Sequence, residues 1–366
     1  MKIVMVCPYA MGRPGGVQTH VRDMAAWLRD QGHEVRIIAP DDGTDETGLI
    51  RLGGFRKITL HGTSFEVARA SRKAVKAAAS DLRTWGAEVM HLHTPWTPMM
   101  AWQIWREMRL PTVATFHATL PQSQGFDPMT AFLNRAAHYF SKRIPHIVVP
   151  SRAPQAQWEA LGLPTPTILA PTIDLGPWRD ARQGSEPGVQ LVYLGRLEER
   201  KGLHVLLDAW PDIAAMLPRA MLTIAGSGEL RDNIAARIKA ESLSRVTCIA
   251  APDNATARTL VGESDFFIAP ALEGESFGLV LIEAMAAGTL PVAAANEGFR
   301  TVLTGGGQDL LVPPGDALML AEKVVELVSN AEKRRALQHW ADQRANDFDV
   351  VSVGPRYVEL YRKAVR

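Results

Sequence analysis

Short apolar runs alternate with helix-length amphipathic segments along the whole chain, and this alternation most limits the folds open to it. Runs that are apolar at successive positions are typical of strands buried on both faces of a parallel sheet. In the first half we predict helices at Val17–Gln31, Phe65–Trp85 and Pro128–Arg143, and strands at Lys2–Val6, Glu34–Ala39, Val89–Leu92, Thr112–Phe116, Ile147–Val149 and Thr167–Leu169.

The same alternation starts again after Pro177–Val189, a Gly-, Pro- and charge-rich stretch that we interpret as a linker or domain edge. A length of 366 residues also favours two domains. We therefore predict an α/β protein with two facing, doubly wound parallel-sheet domains and a ligand site in the cleft between them. The second set of predicted strands is Val189–Tyr193, Met221–Ala225, Val246–Ile249, Asp265–Ala269, Leu290–Ala294 and Leu310–Val312.

Charge and cysteine content exclude two classes of protein. Lys and Arg number 40 against 39 Asp and Glu, so the whole chain is not basic enough to be a general nucleic-acid binder. The only two cysteines, Cys7 and Cys248, exclude a disulfide scaffold and indicate a reducing compartment. With no targeting segment and no apolar stretch of about 20 residues, we expect a cytoplasmic protein, at most peripheral on a membrane.

A cluster of basic residues is nevertheless present, although the net charge of the whole chain is close to zero. Eight basic residues and two acidic ones fall between Arg51 and Arg83. Within the predicted helix Phe65–Trp85, four of the cations follow the spacing i, i+3, i+4, i+7 and would share one face. They are Arg69, Arg72, Lys73 and Lys76. Such a face docks on anionic membranes or anionic ligands, or is simply a solvated helix surface.

Two loops that follow the first strand of each half carry anion-binding features. Gly15 and Gly16 precede the predicted helix at Val17, where backbone N–H groups can meet an anion; a plain tight turn is the alternative. The loop matches neither the dinucleotide fingerprint nor the P-loop. In the second half, Arg196 and Lys201 lie five residues apart after Gly195 and can both reach one diphosphate, or form a solvated charged loop.

The segment Glu273–Gly288 is the most informative motif. Glu275 precedes an apolar helix and Glu283 lies about two turns inside it, where a carboxylate needs hydroxyl or cationic partners. A ribose diol would serve for Glu283, as would an internal structural partner. The segment also contains the motif G-x-S-x-G around Ser276, which is typical of the nucleophile elbow of hydrolases. A hydrolase triad of Ser276 with Asp309 or Asp316 and His339 is therefore an alternative.

Histidines at the ends of neighbouring predicted strands form a further candidate site. His91 and His93 project to one face of their strand, and His117 follows the next strand. Because a further ligand with regular spacing is lacking, we predict polar groups lining a cleft rather than zinc. We interpret the Asp347-Phe348-Asp349 pattern as structural.

Together these motifs resemble glycosyltransferase family 4, and most closely the actinobacterial phosphatidylinositol alpha-mannosyltransferases. The resemblance covers essentially the whole chain and is strongest over Glu275–Gly288. It also includes Pro14–Val17, Gly195-Arg196, Lys201-Gly202, Met5–Tyr9, Gly15–Gln18, Val113–His117 and Gly274–Gly278.

The resemblance implies a GT-B fold and a retaining hexosyltransferase without a protein nucleophile. It implies that the last helix, Val350–Val365, crosses back onto the first domain. The expected domains are then 1–171 with 350–366, which would bind the acceptor, and 172–349, which would bind the donor. The expected donor is a nucleotide sugar, GDP-mannose or else a UDP-sugar, with no other cofactor and no divalent metal. The expected acceptor is a lipid or polyprenyl-linked molecule at the cytoplasmic membrane face, with no nucleic-acid partner.

The resemblance also assigns residues by role. His117, Arg196, Lys201 and Glu275 would be catalytic. The donor would be bound by Gly15, Gly16, Gly195, Arg196, Lys201, Glu275, Ser276, Phe277, Gly278, Leu279 and Glu283. The acceptor would be bound by Tyr9, Gln18, Thr19 and His61, and an anionic membrane by Arg69, Arg72, Lys73 and Lys76.

Two departures from the family pattern bear on the acceptor and the hinge. The segment Leu60–Ser64 has no Asn, where the lipid mannosyltransferases use one near the inositol, and this argues against phosphatidylinositol. The Pro-Asn-Gly-(Val/Ile)-Asp pattern is one residue shorter in this chain, Pro171–Asp174, which affects the local hinge geometry. The alternatives to a mannosyltransferase with a lipid acceptor are a UDP-sugar transferase with a soluble acceptor, a nucleotide-sugar 2-epimerase and a non-catalytic binding module.

Overall fold

The chain divides into two compact units. In the computed structural model, which describes residues 1–13, 15–60, 63–95, 99–117, 128–184 and 187–366, the first unit is 1–173 with 349–366 and the second is 174–348. The domain bounds expected from the sequence lie within two residues of these, after residues 171 and 349. The assignment of acceptor and donor roles to the two domains stays a prediction.

The first unit is built on a parallel seven-stranded sheet in the order β3-β2-β1-β6-β7-β8-β9, with β4 and β5 forming a separate antiparallel hairpin. Its elements are β1 Lys2–Val6, α1 Gly16–Asp30, β2 Glu34–Ala39, β3 Leu49–Arg51, β4 Gly54–Leu60, β5 Thr63–Arg69, α2 Arg72–Trp85, β6 Val89–His93, α3 Met100–Met108, β7 Thr112–Thr115, α4 Pro128–Ser141, β8 His146–Val149, α5 Arg152–Ala160 and β9 Thr167–Ile168.

The second unit contains a parallel six-stranded sheet in the order β12-β11-β10-β13-β14-β15. Its elements are α6 Gly176–Asp180, β10 Val189–Arg196, α7 Leu203–Met216, β11 Ala220–Ser227, α8 Arg231–Ala240, β12 Val246–Ala250, α9 Asn254–Gly262, β13 Phe266–Ala269, α10 Leu279–Ala286, β14 Leu290–Ala294, α11 Glu297–Val302, β15 Leu311–Val312, α12 Ala317–Ser329 and α13 Ala331–Asn346. Helix α14, Val350–Val365, then returns to the first unit.

The alternating side chains of the first sheet supply two separate cores. Ile3 and Met5 pack on one face with residues of α1 and α14. Val4 and Val6 pack on the other face with residues of α2, α3 and α4. Successive strand residues point to opposite faces, so a strand that is apolar throughout needs helices on both sides. The predicted α/β class with two doubly wound parallel sheets is confirmed.

The strand order of each sheet reverses at one point, between β1 and β6 in the first unit and between β10 and β13 in the second. Ligands of doubly wound sheets bind beyond the carboxyl ends of the strands at this reversal. Arg196 is the last residue of β10, Lys201 lies in the loop that follows, and Glu275 lies in the loop after β13. In the first unit, Tyr9 and Gly15 lie in the loop after β1, and His93 is the last residue of β6. The topology therefore places the sequence motifs where a ligand is expected in each unit.

One local prediction was wrong. The segment predicted as one helix, Phe65–Trp85, is strand β5 followed by α2, so Arg69 ends a strand and does not share a helix face with Arg72. The helix starts at Arg72 because the Ser71 hydroxyl accepts a hydrogen bond from Ala74 N, 3.2 Å away. The stretch Pro177–Val189, interpreted as a linker or domain edge, starts a few residues after the division between the units. It begins inside α6, since Pro177 lies in the first turn, where its fixed backbone angle favours a helix. Among the described residues, no helix combines the length and apolar character needed to cross a membrane.

Candidate functional site

The loop after β10 presents cations that a neighbouring acid holds in place. An Arg196 guanidinium nitrogen lies 2.6 Å from Oε1 of Glu198, and Arg200 Nε lies 3.1 Å from Oε2 of the same side chain. Arg196 keeps half of its side chain exposed, at 49%. Gly202 ends the loop at φ 68°, where a Cβ atom would lie 2.1 Å from the Pro270 carbonyl oxygen, so a glycine is required there. The result is an open cationic edge beside the end of β13.

Lys201 and Glu275 form an ion pair at this edge. The Lys201 ammonium donates to Oε1 of Glu275, across 74 residues of sequence. Only 19% of the lysine side chain and 14% of the glutamate side chain are exposed. The Arg200 guanidinium adds a hydrogen bond to the Gly274 carbonyl at 3.2 Å. The structure thus brings together two motifs that were predicted from the sequence to bind one anionic ligand.

The loop Glu275–Gly278 rests directly on helix α11. A Cβ atom on Gly298 would lie 2.3 Å from the Glu275 carbonyl oxygen and 2.9 Å from Phe277 N. Asn296 caps α11 by accepting from Phe299 N at 3.0 Å and donates to the Ala271 carbonyl at 2.9 Å. Gly278, at φ 114°, turns the chain into α10. These contacts fix the loop that carries Glu275 and the start of α10.

The geometry of this edge suits a phosphorylated ligand. Helix α10 begins at Leu279, and the N–H groups of a helix's first turn attract anions. Glu283 is half-buried one turn further along the same helix, among the buried side chains of Leu281, Ile282 and Ala284. Cations, helix N–H groups and carboxylates therefore lie in segments that follow the carboxyl ends of β10 and β13.

Gly298→Ala should weaken nucleotide binding while the fold persists. The added methyl group pushes on the backbone from Glu275 to Phe277, at a cost of about 1–3 kcal/mol, so we expect the nucleotide dissociation constant to rise about tenfold or more. Gly306→Ala is the matched control, because its Cβ would meet only Trp340 at 3.4 Å or beyond. Calorimetric titration with GDP and UDP measures the effect, and equal affinities in both variants would contradict it.

The hydrolase interpretation of Ser276 lacks the geometry that it needs. A nucleophile elbow places serine directly between a strand and a helix. In this chain six residues separate the end of β13 at Ala269 from Ser276. The proposed partners also serve elsewhere: Asp309 pairs with Lys333 at 3.0 Å, Asp316 caps α12, and His339 lies 3.0 Å from Gln343.

The first unit gathers four imidazoles beneath the ends of β6 and β7. His91, His93 and His117 were predicted from the sequence, and the structure adds His20 from α1. The His93 and His117 rings stack at 5.2 Å, and His20 lies 5.2 Å from each of them edge-on. One ring nitrogen each from His20, His93 and His117 lies within 4.8 Å of the others, so this set is also the candidate metal-ligand group among the described residues.

Burial keeps these imidazoles neutral. It lowers the pKa of His20 to about 3, and it lowers the pKa of His91 and His93 well below the ordinary value, with neighbouring imidazoles adding to the effect. His91 is fully bonded, because its ring nitrogens lie 2.7 Å from the Tyr361 hydroxyl and 2.7 Å from the Thr115 hydroxyl. His91 is therefore a structural link between the sheet and α14.

Mild acid should destabilise the protein. The pKa values of His20, His91 and His93 are lowered in the folded chain, so the unfolded chain takes up protons first as the pH falls below about 6.5. Each such histidine then costs up to about 1.4 kcal/mol of unfolding free energy per pH unit. Urea unfolding at pH 7.5 and pH 5.5 measures this loss, and His20→Gln should reduce it. Equal stability at the two pH values would contradict the prediction.

The first turn of α1 carries two residues predicted for the acceptor, Gln18 and Thr19, beside the two glycines predicted for the donor. Gly16 begins the helix, Gly15 precedes it in extended conformation, and the Gly15 carbonyl accepts from Thr19 N at 2.9 Å. The Gln18 amide donates to the Ala10 carbonyl at 3.2 Å. Tyr9 is half-buried, and burial raises the pKa of its hydroxyl above the usual range, so it stays protonated. His61 lies outside the described residues.

The predicted membrane residues contribute to a basic groove between α2 and α3. Its volume is about 950 Å³, and Arg69, Arg72 and Lys76 line it together with Arg106 and Arg109. All five cations are exposed. Arg106 and Arg109 were missed from the sequence, because they come from a helix that is distant along the chain. Lys73 is exposed but is not among the lining residues.

Comparisons with known proteins follow this two-unit division. Residues 14–176 match the family model "Glycosyltransferase Family 4", and residues 178–344 match "Glycosyl transferases group 1". The phosphatidyl-myo-inositol mannosyltransferase of Mycolicibacterium smegmatis is 32% identical over 99% of this chain and 93% of its own length. The protein of the same name from Mycobacterium leprae is 33% identical over 99% and 96%.

A comparison with solved structures supports the assignment of the fold. The crystal structure of Anabaena HepE in complex with UDP and glucose matches with a TM-score of 0.77 at 19% identity, covering 98% of this chain and 99% of that one. Family models over both units and relatives above 30% identity along nearly the full length lead to one conclusion. The chain belongs to glycosyltransferase family 4 and is a glycosyltransferase with the two parallel-sheet domains of the GT-B class.

Proposed function

We propose that this protein transfers mannose from GDP-mannose to a lipid acceptor with retention of the anomeric configuration. The observation that carries the proposal is the Lys201–Glu275 ion pair beside the exposed Arg196, at the strand-order reversal of the second sheet. The mannosyltransferase names of the relatives above 30% identity support mannose as the sugar. A UDP-sugar is the alternative donor.

The donor diphosphate takes up negative charge as the sugar leaves. In the proposed complex, Arg196 offers a bidentate fork and Lys201 a point charge, which fits a diphosphate with two differently placed oxygens. Fixed cations stabilise the departing nucleotide without reorganising during the reaction. Glu275 holds Lys201 in place and accepts hydrogen bonds from sugar hydroxyls. No divalent metal is needed in this scheme.

The remaining donor residues follow from the helix that starts at Leu279. Backbone N–H groups from Phe277 to Leu279 face the phosphates, with Gly195 and Ser276 alongside, and Glu283 accepts from the ribose diol. Its half-buried position on an apolar helix suits a carboxylate that meets its ligand at one end.

The first unit supplies the groups proposed for the acceptor and the reacting sugar. His117 contacts the sugar near the reacting carbon, and Gly15 and Gly16 bring backbone close to the diphosphate. Tyr9, Gln18 and Thr19 would bind the acceptor. Tyr9 suits this role because its hydroxyl stays protonated and can donate a hydrogen bond.

We also propose that the basic groove binds the anionic inner face of the cell membrane. A cation near such a surface contributes about 1 kcal/mol. The double variant Arg72→Glu/Arg106→Glu should therefore lower the affinity for phosphatidylglycerol-containing vesicles at least tenfold, measured by co-sedimentation. Arg334→Glu/Arg335→Glu on α13 makes the same charge change elsewhere and serves as control. Unchanged affinity in the groove variant, or equal losses in both, would contradict the proposal.

A matrix of donors and acceptors tests the function itself. Radiolabelled GDP-mannose, UDP-glucose and UDP-galactose are each incubated with the protein and vesicles that contain phosphatidylinositol, a polyprenyl phosphate or neither. A parallel series contains water-soluble sugars in place of the vesicles. We expect label in the lipid fraction from GDP-mannose alone. Transfer from a UDP-sugar to water-soluble sugars would support the alternative, and epimerised donor without acceptor would support a 2-epimerase.

A further inference from the structure

A backbone N–H group fixes the proton of His20. The Thr172 N–H donates to His20 Nδ1 at 2.8 Å, so Nδ1 must be the unprotonated nitrogen of the neutral ring. The Thr172 hydroxyl also lies 2.7 Å from Nδ1. The single ring proton therefore sits on Nε2. Unlike a hydroxyl, a backbone N–H cannot reverse its role, so this tautomer is imposed by the fold.

Two buried ring nitrogens in this cluster have no hydrogen-bond partner in the described parts of the chain: His20 Nε2 and His93 Nε2. Neither of these atoms bonds the other ring directly. One ring nitrogen of His20 nevertheless lies within 4.8 Å of one ring nitrogen of His93, a separation that one shared oxygen can bridge. A buried polar group without a partner is costly, whereas a buried water with two or three polar partners is ordinary.

The same protons argue against a metal ion in this set. A metal needs the lone pair of an unprotonated nitrogen, and the nitrogen of His20 that is not bonded to Thr172 carries the proton. A water oxygen, in contrast, can accept from His20 Nε2–H and donate to His93 Nε2.

We propose that His20 and His93 are positioning residues that, through one bridging water, hold His117 in the tautomer with its proton on Nδ1. His93 Nε2 accepts from the water, so the His93 proton lies on Nδ1. That group donates to His117 Nε2, 3.0 Å away, and leaves the His117 proton on Nδ1. If His93 instead carried its proton on Nε2, the N–H groups of His20 and His93 would both face the water oxygen. Both hydrogens of that water would then need other acceptors. His117 is thus an N–H donor toward its ligand and not a base.

Nitrogen-15 NMR of histidine-labelled protein without substrate tests the chain of hydrogen bonds, since protonated and bare ring nitrogens differ widely in shift. In the wild type we expect bare Nδ1 and protonated Nε2 on His20, and protonated Nδ1 on His93 and His117. Thr172→Val should leave this pattern intact, because the backbone N–H remains. His20→Gln keeps both a donor and an acceptor and should preserve the His117 tautomer, whereas His20→Phe should produce a mixture.

The kinetic test of this proposal rests on the proposed function, because it measures the rate of mannosyl transfer. His20→Phe should lower kcat about tenfold, the equivalent of one hydrogen bond, and His20→Gln should restore most of it. A wild-type His117 with its proton on Nε2 would overturn the proposal even if every variant failed to fold. So would one equivalent of zinc shifting the His20, His93 and His117 signals together. If the NMR spectra show the predicted tautomers but no mannosyl transfer is detected, the proposed function is overturned and the tautomer proposal stands.

Discussion

Replacing Lys201 by alanine should lower kcat by about a hundredfold to a thousandfold while the protein stays folded. The ammonium is proposed to neutralise the departing diphosphate, and removing one preorganised charge of this kind costs about 3–4 kcal/mol of transition-state stabilisation. Only 19% of the side chain is exposed, so water cannot readily replace it. Steady-state kinetics with saturating donor and acceptor measures the change.

Lys239→Ala on α8 is the matched control, because that lysine is exposed and distant in sequence from the loop. It should leave kcat unchanged. If Lys201→Ala retained turnover within about twofold of the wild type, the diphosphate assignment would be wrong. Arg196→Ala should show a similar loss, and Arg196→Lys should recover part of it, because a lysine restores the charge but not the bidentate fork.

Glu275→Gln should raise the donor KM and lower kcat about a hundredfold. The neutral amide keeps the shape of the side chain but leaves the Lys201 ammonium without its counter-charge, and it makes weaker bonds to sugar hydroxyls. Because Lys201 and Glu275 are in direct contact, their effects should not add.

A double-mutant cycle checks this coupling. Lys201→Ala/Glu275→Gln should be only a few-fold less active than Lys201→Ala alone. Glu273→Gln, an exposed glutamate two residues away, should behave like the wild type. Fully additive losses for Lys201 and Glu275 would mean that the two residues act independently, and that Glu275 does not hold Lys201 in place for the diphosphate.

The sequence predicted the sheets well because buried parallel strands have a strong local signature. The predicted bounds of Lys2–Val6, Glu34–Ala39 and Leu290–Ala294 coincide with β1, β2 and β14, and those of Val350–Val365 with α14. The hairpin β4–β5 was missed, since small and charged residues around Arg69 fit both a strand and a helix. There the Ser71 cap, rather than periodicity, sets the start of the helix.

The candidate sites were predictable only where their parts lie on neighbouring loops. Arg196 ends β10 and Lys201 follows it, whereas Glu275 follows β13; these two strands are adjacent in the sheet, so the strand order brings the residues together. His20 lies on a helix, and its contact with His93 depends on how α1 packs, which no local pattern encodes. Arg106 joins the groove in the same way, through the packing of α3 beside α2.

The anomeric configuration of the product decides whether the protein is a retaining mannosyltransferase. Protein, GDP-mannose and acceptor-containing vesicles are incubated, and the isolated mannolipid is examined by NMR for the configuration at the transferred carbon. We predict an α-linked mannolipid, which keeps the configuration of the donor and forms together with GDP. A β-linked product, or GDP released with free mannose and no mannolipid, would contradict the proposed function.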